Sequence, residues 1–361
     1  MTLFTSEIMP QGPGPRMMAR KLYHRHGVRR VKAILLVLGI MVIALSVYRI
    51  GPTPILEALG RLTWWQLLLV CLPYSVIMAV DTLGWRFAFP HEPAPFHRLY
   101  GARLAGEALN LVTAFGSMGG EAVKAWLIRR DVTYEESVPS VVIAKTTITI
   151  AQALFLLIGV ALAWTMLATD SRVIAAMLWL LVVEVAAVAG FVGVQVAGIV
   201  SRAGRLLEWF GVLTPGDYAQ RLDVALRDYY RRDWRRLSLS TGFHLAGWLL
   251  GAVEAFVILL FLGIPATLVT ATVIEALGAG VRFATFLVPA SLGAFESANA
   301  AAFEAMGLGA GAGLAFSFVR RARQLVWIAI GMLVLAAMGW WAKRAGPQAT
   351  VSSGPSSPTS T

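Results

Sequence analysis

The chain has 361 residues, of which 57% are hydrophobic and only 14% are charged. Soluble domains carry about 25% charged residues, so this composition excludes an ordinary soluble globular protein and indicates an integral membrane protein. The net charge of +11 does not indicate a nucleic-acid partner, because the basic residues lie in short links between apolar runs, where they set the orientation of spanning helices.

Cysteine and histidine usage excludes two further kinds of site. Cys71 is the single cysteine and lies in an apolar run, so no intramolecular disulfide can form, and no Cys/His spacing suits zinc. We therefore expect no metal and no other cofactor. The histidines are scattered, and we interpret all five as solvated or interfacial: His24, His26, His91, His97 and His244.

Taken in chain order, the apolar runs predict an all-α, polytopic membrane domain over residues 33–344. A flexible, basic, cytoplasmic N-terminus (residues 1–32) precedes it, and a Ser/Pro/Thr-rich tail (345–361) that we expect to be disordered follows it. Runs of about 20 apolar residues cross a bilayer. Seven such spans are predicted, at residues 33–48, 64–85, 137–167, 173–200, 242–262, 268–288 and 325–341. An eighth crossing within residues 300–318 would bring the C-terminus from the outer to the cytoplasmic side.

Three acidic residues inside these spans are left out of the predicted site. Glu184 lies centrally in the fourth span, and the sequence leaves open whether it is a functional carboxylate or a neutral, hydrogen-bonded one. Asp81 lies near the end of the second span, and we interpret it as a structural partner of Arg86. Glu254 lies in the fifth span, after a Gly247-xxx-Gly251 spacing that lets a neighbouring helix approach closely.

Residues 99–130 are apolar enough for a membrane yet carry several polar and ionisable side chains. An ionised side chain at the bilayer centre costs about 3 kcal/mol, so such residues usually face a protein interior or a wet cavity. The stretch contains Arg103, Glu107, Asn110, Glu121 and Lys124. The glycine-rich residues 115–120, which include Gly119 and Gly120, interrupt the helix. Because basic residues on both sides favour the cytoplasmic face, we predict a re-entrant hairpin.

A second broken segment, residues 286–308, repeats this theme of a small-residue break followed by a carboxylate, Glu296. Twenty-four residues separate Glu121 from Lys145, and the same number separates Glu296 from Arg320. The shared spacing suggests an internal duplication, in which each half contributes a broken hairpin and then a long helix. From the predicted number of crossings, we expect both breaks to enter the membrane from the same face.

Residues 201–237 form a basic, amphipathic segment that the positive-inside rule places in the cytoplasm. Asp217 is a suitable N-cap for a helix that ends near Arg236. Two interpretations are open: a surface helix that lies against anionic headgroups, or a simple topology anchor.

The polar motifs resemble those of a known family. R-x-x-G-E-x-x-N runs from Arg103 to Asn110, Gly-Gly-Glu precedes Lys124, and P-x-S-x-G-x-x-E ends at Glu296. These motifs are similar to the flippase-like transmembrane region of lysylphosphatidylglycerol synthases, and the similarity covers residues 33–341.

Within that group, residues 243–254 and 274–289 look most like the hopanoid-biosynthesis-associated membrane proteins. The resemblance implies a bacterial inner-membrane protein that handles a lipid or a lipid-linked intermediate. The aminoacylating synthases carry a large soluble C-terminal domain, whereas this chain ends just after its last span, so we do not expect aminoacyl transfer to lipid.

We predict a lipid translocator or lipid carrier whose site lies where the two broken hairpins meet. Basic side chains would bind a phosphate or another anionic headgroup, helix ends would add backbone N–H donors, and carboxylates would balance charge or exchange a proton. The candidate substrate-binding residues are Arg103, Glu107, Asn110, Gly119, Gly120, Glu121, Lys124, Lys145, Glu275, Arg282, Glu296 and Arg320. The expected partners are membrane lipids, anionic or isoprenoid-type, and lipid-biosynthesis enzymes. Alternatively, these charges form buried pairs that only fix the packing of the hairpins.

Two other classes of function stay open. A membrane-embedded transferase acting on polyprenyl or hopanoid lipids would need an activated nucleophile or a metal-binding acidic cluster. The sequence has no H-E-x-x-H, P-loop, G-x-S-x-G or Asp-rich motif, so we nominate no catalytic residue. The third class is a non-catalytic partner of lipid-modifying enzymes, in which folded variants with neutral Glu121 and Glu296 would keep their function.

Overall fold

The computed structural model describes residues 37, 40–45, 47–112, 118–168, 171–197 and 218–344. Within these ranges the regular secondary structure is helical and no β-strand occurs, which confirms the all-α prediction. The helices are α1 (Pro52–Gly60), α2 (Trp64–Phe87), α3 (Phe96–Val112), α4 (Met118–Leu127), α5 (Tyr134–Met166), α6 (Arg172–Val196), α7 (Tyr218–Arg232), α8 (Trp234–Phe261), α9 (Leu268–Ala284), α10 (Ala294–Ala305) and α11 (Ala310–Arg344). Both predicted tails, residues 113–117 of the first break and residues 201–217 of the basic segment lie outside the described residues.

Five of the described helices are long and apolar enough to cross a membrane, namely α2, α5, α6, α8 and α11. Such helices need about 20 predominantly apolar residues. This confirms a polytopic membrane protein. Of the predicted first span, residues 37, 40–45 and 47–48 are described, and they are helical.

Side-chain caps set the start of several helices. The Thr63 amide donates to Gln66 Oε1 over 2.9 Å at the start of α2. At the start of α9, the Thr270 amide donates to Thr267 Oγ1 over 3.1 Å. These bonds satisfy groups that the first turn of a helix otherwise leaves without a partner.

Two apolar clusters mark the two ends of the bundle. The end that carries the basic links, called the basic end here, packs Leu99, Ile128 and Tyr229 against Met338. The opposite end packs residues of α1, of the last turn of α10 and of the α8–α9 and α10–α11 turns: Ile55, Leu59, Ile264, Phe303 and Leu308. The positive-inside rule predicts that the basic end is cytoplasmic.

The two broken segments are helical hairpins that start from opposite ends. The first hairpin, α3 and α4, begins near Leu99 and finishes near Ile128, both at the basic end. The second hairpin, α9 and α10, begins beside Ile264 and finishes near Phe303, both at the opposite end. The prediction that both breaks enter from the same face is therefore wrong.

The reason is that residues 268–288 do not cross the bundle. Helix α9 ends at Ala284, and a 3-10 turn at Pro289–Ser291 then reverses the chain into α10. Positive φ values of 51° at Ala290 and 81° at Gly293 make this reversal tight. The apolar run over residues 268–288 predicts a complete crossing, because hydropathy alone does not show where the chain reverses.

Helix α11 is one continuous helix of 35 residues. It starts near Leu308 at the opposite end and passes Met338 at the basic end. The predicted last span, 325–341, is only its second half, and residues 300–318 are shared between α10 and α11 and form no separate crossing. Arg320 consequently lies inside a helix and not in a link before it.

The two halves of the chain share one order of helices. Helices α2 to α5 contain 24, 17, 10 and 33 residues, and α8 to α11 contain 28, 17, 12 and 35. Helix α2 packs on α8, α3 packs on α11, and α9 packs on α5, so each hairpin contacts the long helix of the other half. This reciprocal packing agrees with the suggested duplication and has the form of an inverted repeat.

Candidate functional site

A cavity of about 750 Å³ lies where the two hairpins meet. Its wall comes from both halves of the chain, together with α6. Nine of the twelve predicted site residues line it: Arg103, Glu107, Asn110, Glu121, Lys124, Lys145, Glu275, Arg282 and Arg320. The remaining three, Gly119, Gly120 and Glu296, are not among the lining residues.

Gly120 serves the packing of the first hairpin. It lies in the first turn of α4, and a Cβ atom built there would be 2.0 Å from the carbonyl oxygen of Gly106 on α3. Its amide donates to Asn110 Oδ1 over 2.8 Å. Gly119 also belongs to α4, so the two glycines begin the second helix of the hairpin and do not lie in the break itself.

Glu296 lies behind the cavity wall and is completely buried. One carboxylate oxygen accepts the Gly293 amide over 2.8 Å and caps α10. The other accepts from Arg321 Nε over 2.7 Å. Because Arg321 lines the cavity, Glu296 acts on the site by holding an arginine and not by facing the cavity.

An ion-paired cluster joins α2, α3 and α8. Arg103 Nη2 donates to Asp81 Oδ2 over 2.9 Å, and His244 Nδ1 lies 3.0 Å from Asp81 Oδ1. Two sequence interpretations are corrected here. Arg86 pairs with Glu92 instead of Asp81, and His244 is completely buried instead of solvated. Helical spacing within one segment could not have shown a contact between residues 163 positions apart.

A second cluster lies within the first hairpin. Lys124 Nζ donates to both oxygens of Glu121, over 2.9 and 3.0 Å. Asn110 Nδ2 donates to Glu121 Oε1 over 3.2 Å. The carboxylate is thus held by α3 and α4 together, and its negative charge is balanced within the hairpin.

The third cluster ties α8, α9 and α11 together. Arg320 Nη2 donates to the two oxygens of Glu275 over 2.7 and 2.5 Å, and its Nη1 donates to Glu254 over 3.2 Å. Arg323 Nη1 reaches Glu254 over 2.6 Å, and Arg282 Nη2 reaches Glu275 over 2.9 Å. Both Glu254 and Arg323 line the cavity and were missed by the sequence reasoning. The spacing of Arg320 and Arg323 on one helix face was the available signal.

Basic groups outnumber acidic ones around the cavity. Among the described lining residues there are seven arginines and lysines and five aspartates and glutamates, an excess of two positive charges. Glu107 and Lys145 face the cavity with no ion-pair or hydrogen-bond partner in the described part of the chain.

Several cavity arginines also keep buried N–H groups without a hydrogen-bond partner in the described parts. These are Arg103 Nε, Arg321 Nη2 and Arg323 Nε. Among the described residues that line the cavity, no carboxylate has a buried oxygen without a hydrogen-bond partner. Among the described lining residues, the buried side-chain atoms without a hydrogen-bond partner are therefore donors, and a ligand would have to supply the acceptors.

One side of the cavity is apolar. It is lined by Phe191 on α6 and by Phe286 and Leu287 after α9, and the last two are 57% and 61% exposed. Trp248 and Phe295 lie 6.0 and 5.0 Å from the Arg282 guanidinium carbon. The site therefore combines a cationic interior with an apolar border.

Helix α7 docks its apolar face on the protein. Tyr229 and Leu226 are buried at the basic end, so this face is not free for lipid headgroups, and the helix ends at Arg232. Tyr230 donates to Gln195 Oε1 over 2.8 Å, and Gln195 Nε2 donates to Thr146 on the cavity wall over 3.3 Å. Burial raises the pKa of both tyrosine hydroxyls, which therefore stay protonated donors.

Fold and site define a polytopic α-helical membrane protein with a cation-rich internal cavity. The model of the family described as lysylphosphatidylglycerol synthase TM region matches residues 32–342. The chain belongs to this family and is a membrane protein linked to lipid modification or transport. No curated protein and no solved structure matched this chain. No group of three or more His, Cys, Asp or Glu side chains that could hold a metal ion occurs in the described ranges.

Proposed function

We propose that this protein binds the anionic headgroup of a membrane lipid, or of a lipid-linked intermediate, in the cavity and moves it between the leaflets. The observation that carries the proposal is the set of buried arginine N–H groups without partners on Arg103, Arg321 and Arg323. A buried donor without an acceptor costs about 1–3 kcal/mol, and a phosphate oxygen would remove that cost.

The apolar border favours a lipid over a soluble anion. Phe191, Phe286 and Leu287 join the cavity to the outer surface of the helix bundle. A phosphodiester can enter the cationic interior while its acyl or isoprenoid chains stay against these side chains. The similarity of residues 243–254 and 274–289 to hopanoid-associated proteins makes a hopanoid-related lipid part of the proposal, with the bacterial inner membrane as its location.

The two hairpins supply a route for movement across the membrane. Helices α4 and α10 contain 10 and 12 residues, about 15 and 18 Å at 1.5 Å per residue, and neither reaches across a hydrocarbon core of about 30 Å. We infer that both hairpins are re-entrant, one from each face, so that α3 and α9 end, and α4 and α10 begin, near mid-membrane. Transporters with inverted repeats place their substrate site at such a meeting point and alternate its access.

Lys145 is the best residue for a functional test, because it lines the cavity without an ion-pair partner among the described residues. Purified protein in liposomes is assayed for leaflet exchange of headgroup-labelled phosphatidylglycerol. We expect Lys145→Gln to lower the exchange rate and the lipid affinity about tenfold, the value of one charge-assisted hydrogen bond. Glu296→Gln would be a poorer choice, since its single amide oxygen would have to accept from both the Gly293 amide and Arg321.

The matched control is Arg232→Gln, which removes the same charge from an exposed side chain outside the cavity. It should exchange lipid like the wild type. Equal rates for Lys145→Gln and the wild type would contradict the assigned site. Folded wild type that exchanges no labelled lipid would contradict translocation, and the lipid composition of a deletion strain would then test the transferase and partner alternatives.

A further inference from the structure

We propose that the Asp81–His244 pair is a proton-binding site, which takes up one proton when an anionic headgroup enters the cavity. The inference rests on the proposed function and adds a second ligand, the proton, to it. Asp81 lines the cavity, whereas His244 lies behind it on α8 and is completely buried.

The pair occupies a site that two glycines make possible. A Cβ atom at Gly84 on α2 would lie 2.7 Å from the His244 ring, and one at Gly247 on α8 would lie 2.7 Å from Asp81 Oδ1. Any other residue at either position would displace the pair. The close approach of α2 and α8 is therefore built around a carboxylate and an imidazole.

The hydrogen bonds leave one atom free for a proton. Asp81 uses Oδ2 for Arg103 and Oδ1 for His244 Nδ1. With Nδ1–H donating to the carboxylate, the neutral ring keeps its lone pair on Nε2, which is buried and has no partner within the described residues. When a hydronium ion gives a proton to the pair, one O–H bond breaks, one N–H bond forms at Nε2 and a water molecule leaves, so the charge of the pair changes from −1 to zero.

The surrounding charges determine what this proton does. The charged groups that act on the His244 ring are Asp81 on α2, Arg103 on α3 and Lys124 on α4. On the other helices packed against α8, the charged cavity groups are Lys145 on α5, Glu275 and Arg282 on α9, and Arg320, Arg321 and Arg323 on α11. On α8 itself, Glu254 is already held by Arg320 and Arg323.

Proton uptake changes how fully Asp81 neutralises the positive charge of Arg103. In the unprotonated cluster, Asp81 neutralises Arg103, and the three residues together have no net charge. With one proton added, the carboxylate is shared between two cations and the cluster carries +1 at the cavity wall. A bound anion favours this charged form, and the charged form in turn favours the anion, because linkage is reciprocal.

The experiment measures protons and lipid binding together. Full-length protein in neutral detergent at low buffer concentration is titrated with phosphatidylglycerol, whose phosphodiester keeps one negative charge between about pH 5.5 and 8, and a pH-indicator dye reports proton uptake. We expect the wild type to take up as much as about one proton per bound lipid, and its affinity to rise up to about tenfold for each unit of pH lowered. His244→Gln, which keeps an N–H donor toward Asp81, should bind lipid without proton uptake.

His97→Gln is the matched control, because His97 is an exposed histidine outside the cavity. It should take up protons like the wild type. Uptake by folded His244→Gln equal to that of the wild type would assign the proton elsewhere and overturn the inference. If His244→Gln does not fold, the pH dependence of lipid affinity in the wild type is the test. An affinity for phosphatidylglycerol that stays constant over the whole pH range would also overturn the inference.

These failures differ from failure of the proposed function. Lipid binding without proton uptake contradicts only the proton site. Absence of any phosphatidylglycerol binding by folded wild type contradicts the anionic lipid site, and the proton site with it.

Discussion

Most charged side chains in the cavity wall are held in ion pairs that cross between helices. Arg320 is the clearest example, because it joins Glu254 on α8 to Glu275 on α9. Taking such charges out of water is costly, so each depends on its partners. Glu107 and Lys145 have no ion-pair partner among the described residues, so a ligand can contact them without breaking an ion pair.

The variant Arg320→Gln should lower the free energy of unfolding by about 3–5 kcal/mol, since it leaves two buried carboxylates short of a cation. The double variant Arg320→Gln/Glu275→Gln should recover part of this loss, and unfolding in detergent measures the coupling. Arg221→Gln breaks an exposed pair with Glu135 and should change stability by less than about 1 kcal/mol. Equal losses for the buried and the exposed pair would contradict the proposed role of burial.

Glu107→Gln should act in the opposite direction to Lys145→Gln. It removes a negative charge that has no ion-pair partner in the described part of the chain, so the affinity for phosphatidylglycerol should rise about fivefold, or about 1 kcal/mol. Binding to detergent-purified protein measures the shift. Loss of affinity in the folded variant would mean that Glu107 binds the lipid directly, for example through a headgroup hydroxyl.

At the scale of the elements, glycines set the distance between helices that carry the site. Gly120 lets α4 approach the Gly106 carbonyl on α3, and Gly247 lets α8 approach Asp81 on α2. The charged clusters can form only because these helices are so close. Packing and chemistry therefore depend on the same positions.

Gly120→Ala should destabilise the protein by about 3 kcal/mol, because the new Cβ would overlap backbone that cannot move away cheaply. The control is Gly190→Ala on α6, where a Cβ meets nothing within 4 Å. This second change should be neutral or stabilise by as much as about 1 kcal/mol, since alanine is the better helix former. Thermal unfolding compares the two, and equal midpoints would show that the first hairpin tolerates separation.

At the scale of the whole molecule, the inverted arrangement of the two hairpins predicts which elements lie on the same side of the membrane. The basic end carries the first hairpin and α7, and the opposite end carries the second hairpin. Helix α11 passes Met338 at the basic end, so the helix finishes at the same end as the first hairpin and α7. No eighth crossing within residues 300–318 is therefore needed to bring the end of α11 to the basic end, which the positive-inside rule predicts to be cytoplasmic.

Cysteine labelling tests this orientation. In a Cys71→Ser background, Pro265→Cys at the opposite end should react with a membrane-impermeant maleimide in intact cells. Arg232→Cys at the basic end should react only after the membrane is opened. Both positions are exposed. The reverse labelling pattern would invert the orientation, and labelling of both in intact cells would contradict the arrangement.

The amino-acid sequence by itself determined the class of protein, most of the apolar helices and most of the charged residues of the cavity wall. The physical reason is that burying a polar group in a bilayer is costly whatever the rest of the chain does. The length and hydropathy of each segment, and charged residues within it such as Glu121 and Arg320, can therefore be interpreted without knowing the other segments. The equal spacing of 24 residues in the two halves was readable for the same reason.

Only the tertiary structure decided the partners and the direction of the second hairpin. His244 is 163 positions from Asp81, and no periodicity within one helix connects them. Whether residues 268–288 cross or turn back depends on the reversal at Pro289–Ser291 and on packing against α5 and α11. Local hydropathy does not distinguish a helix that crosses from one that turns back, and long-range packing decides between them. The sequence therefore showed many of the charged residues of the cavity one by one, whereas only the structure showed that they surround one cavity.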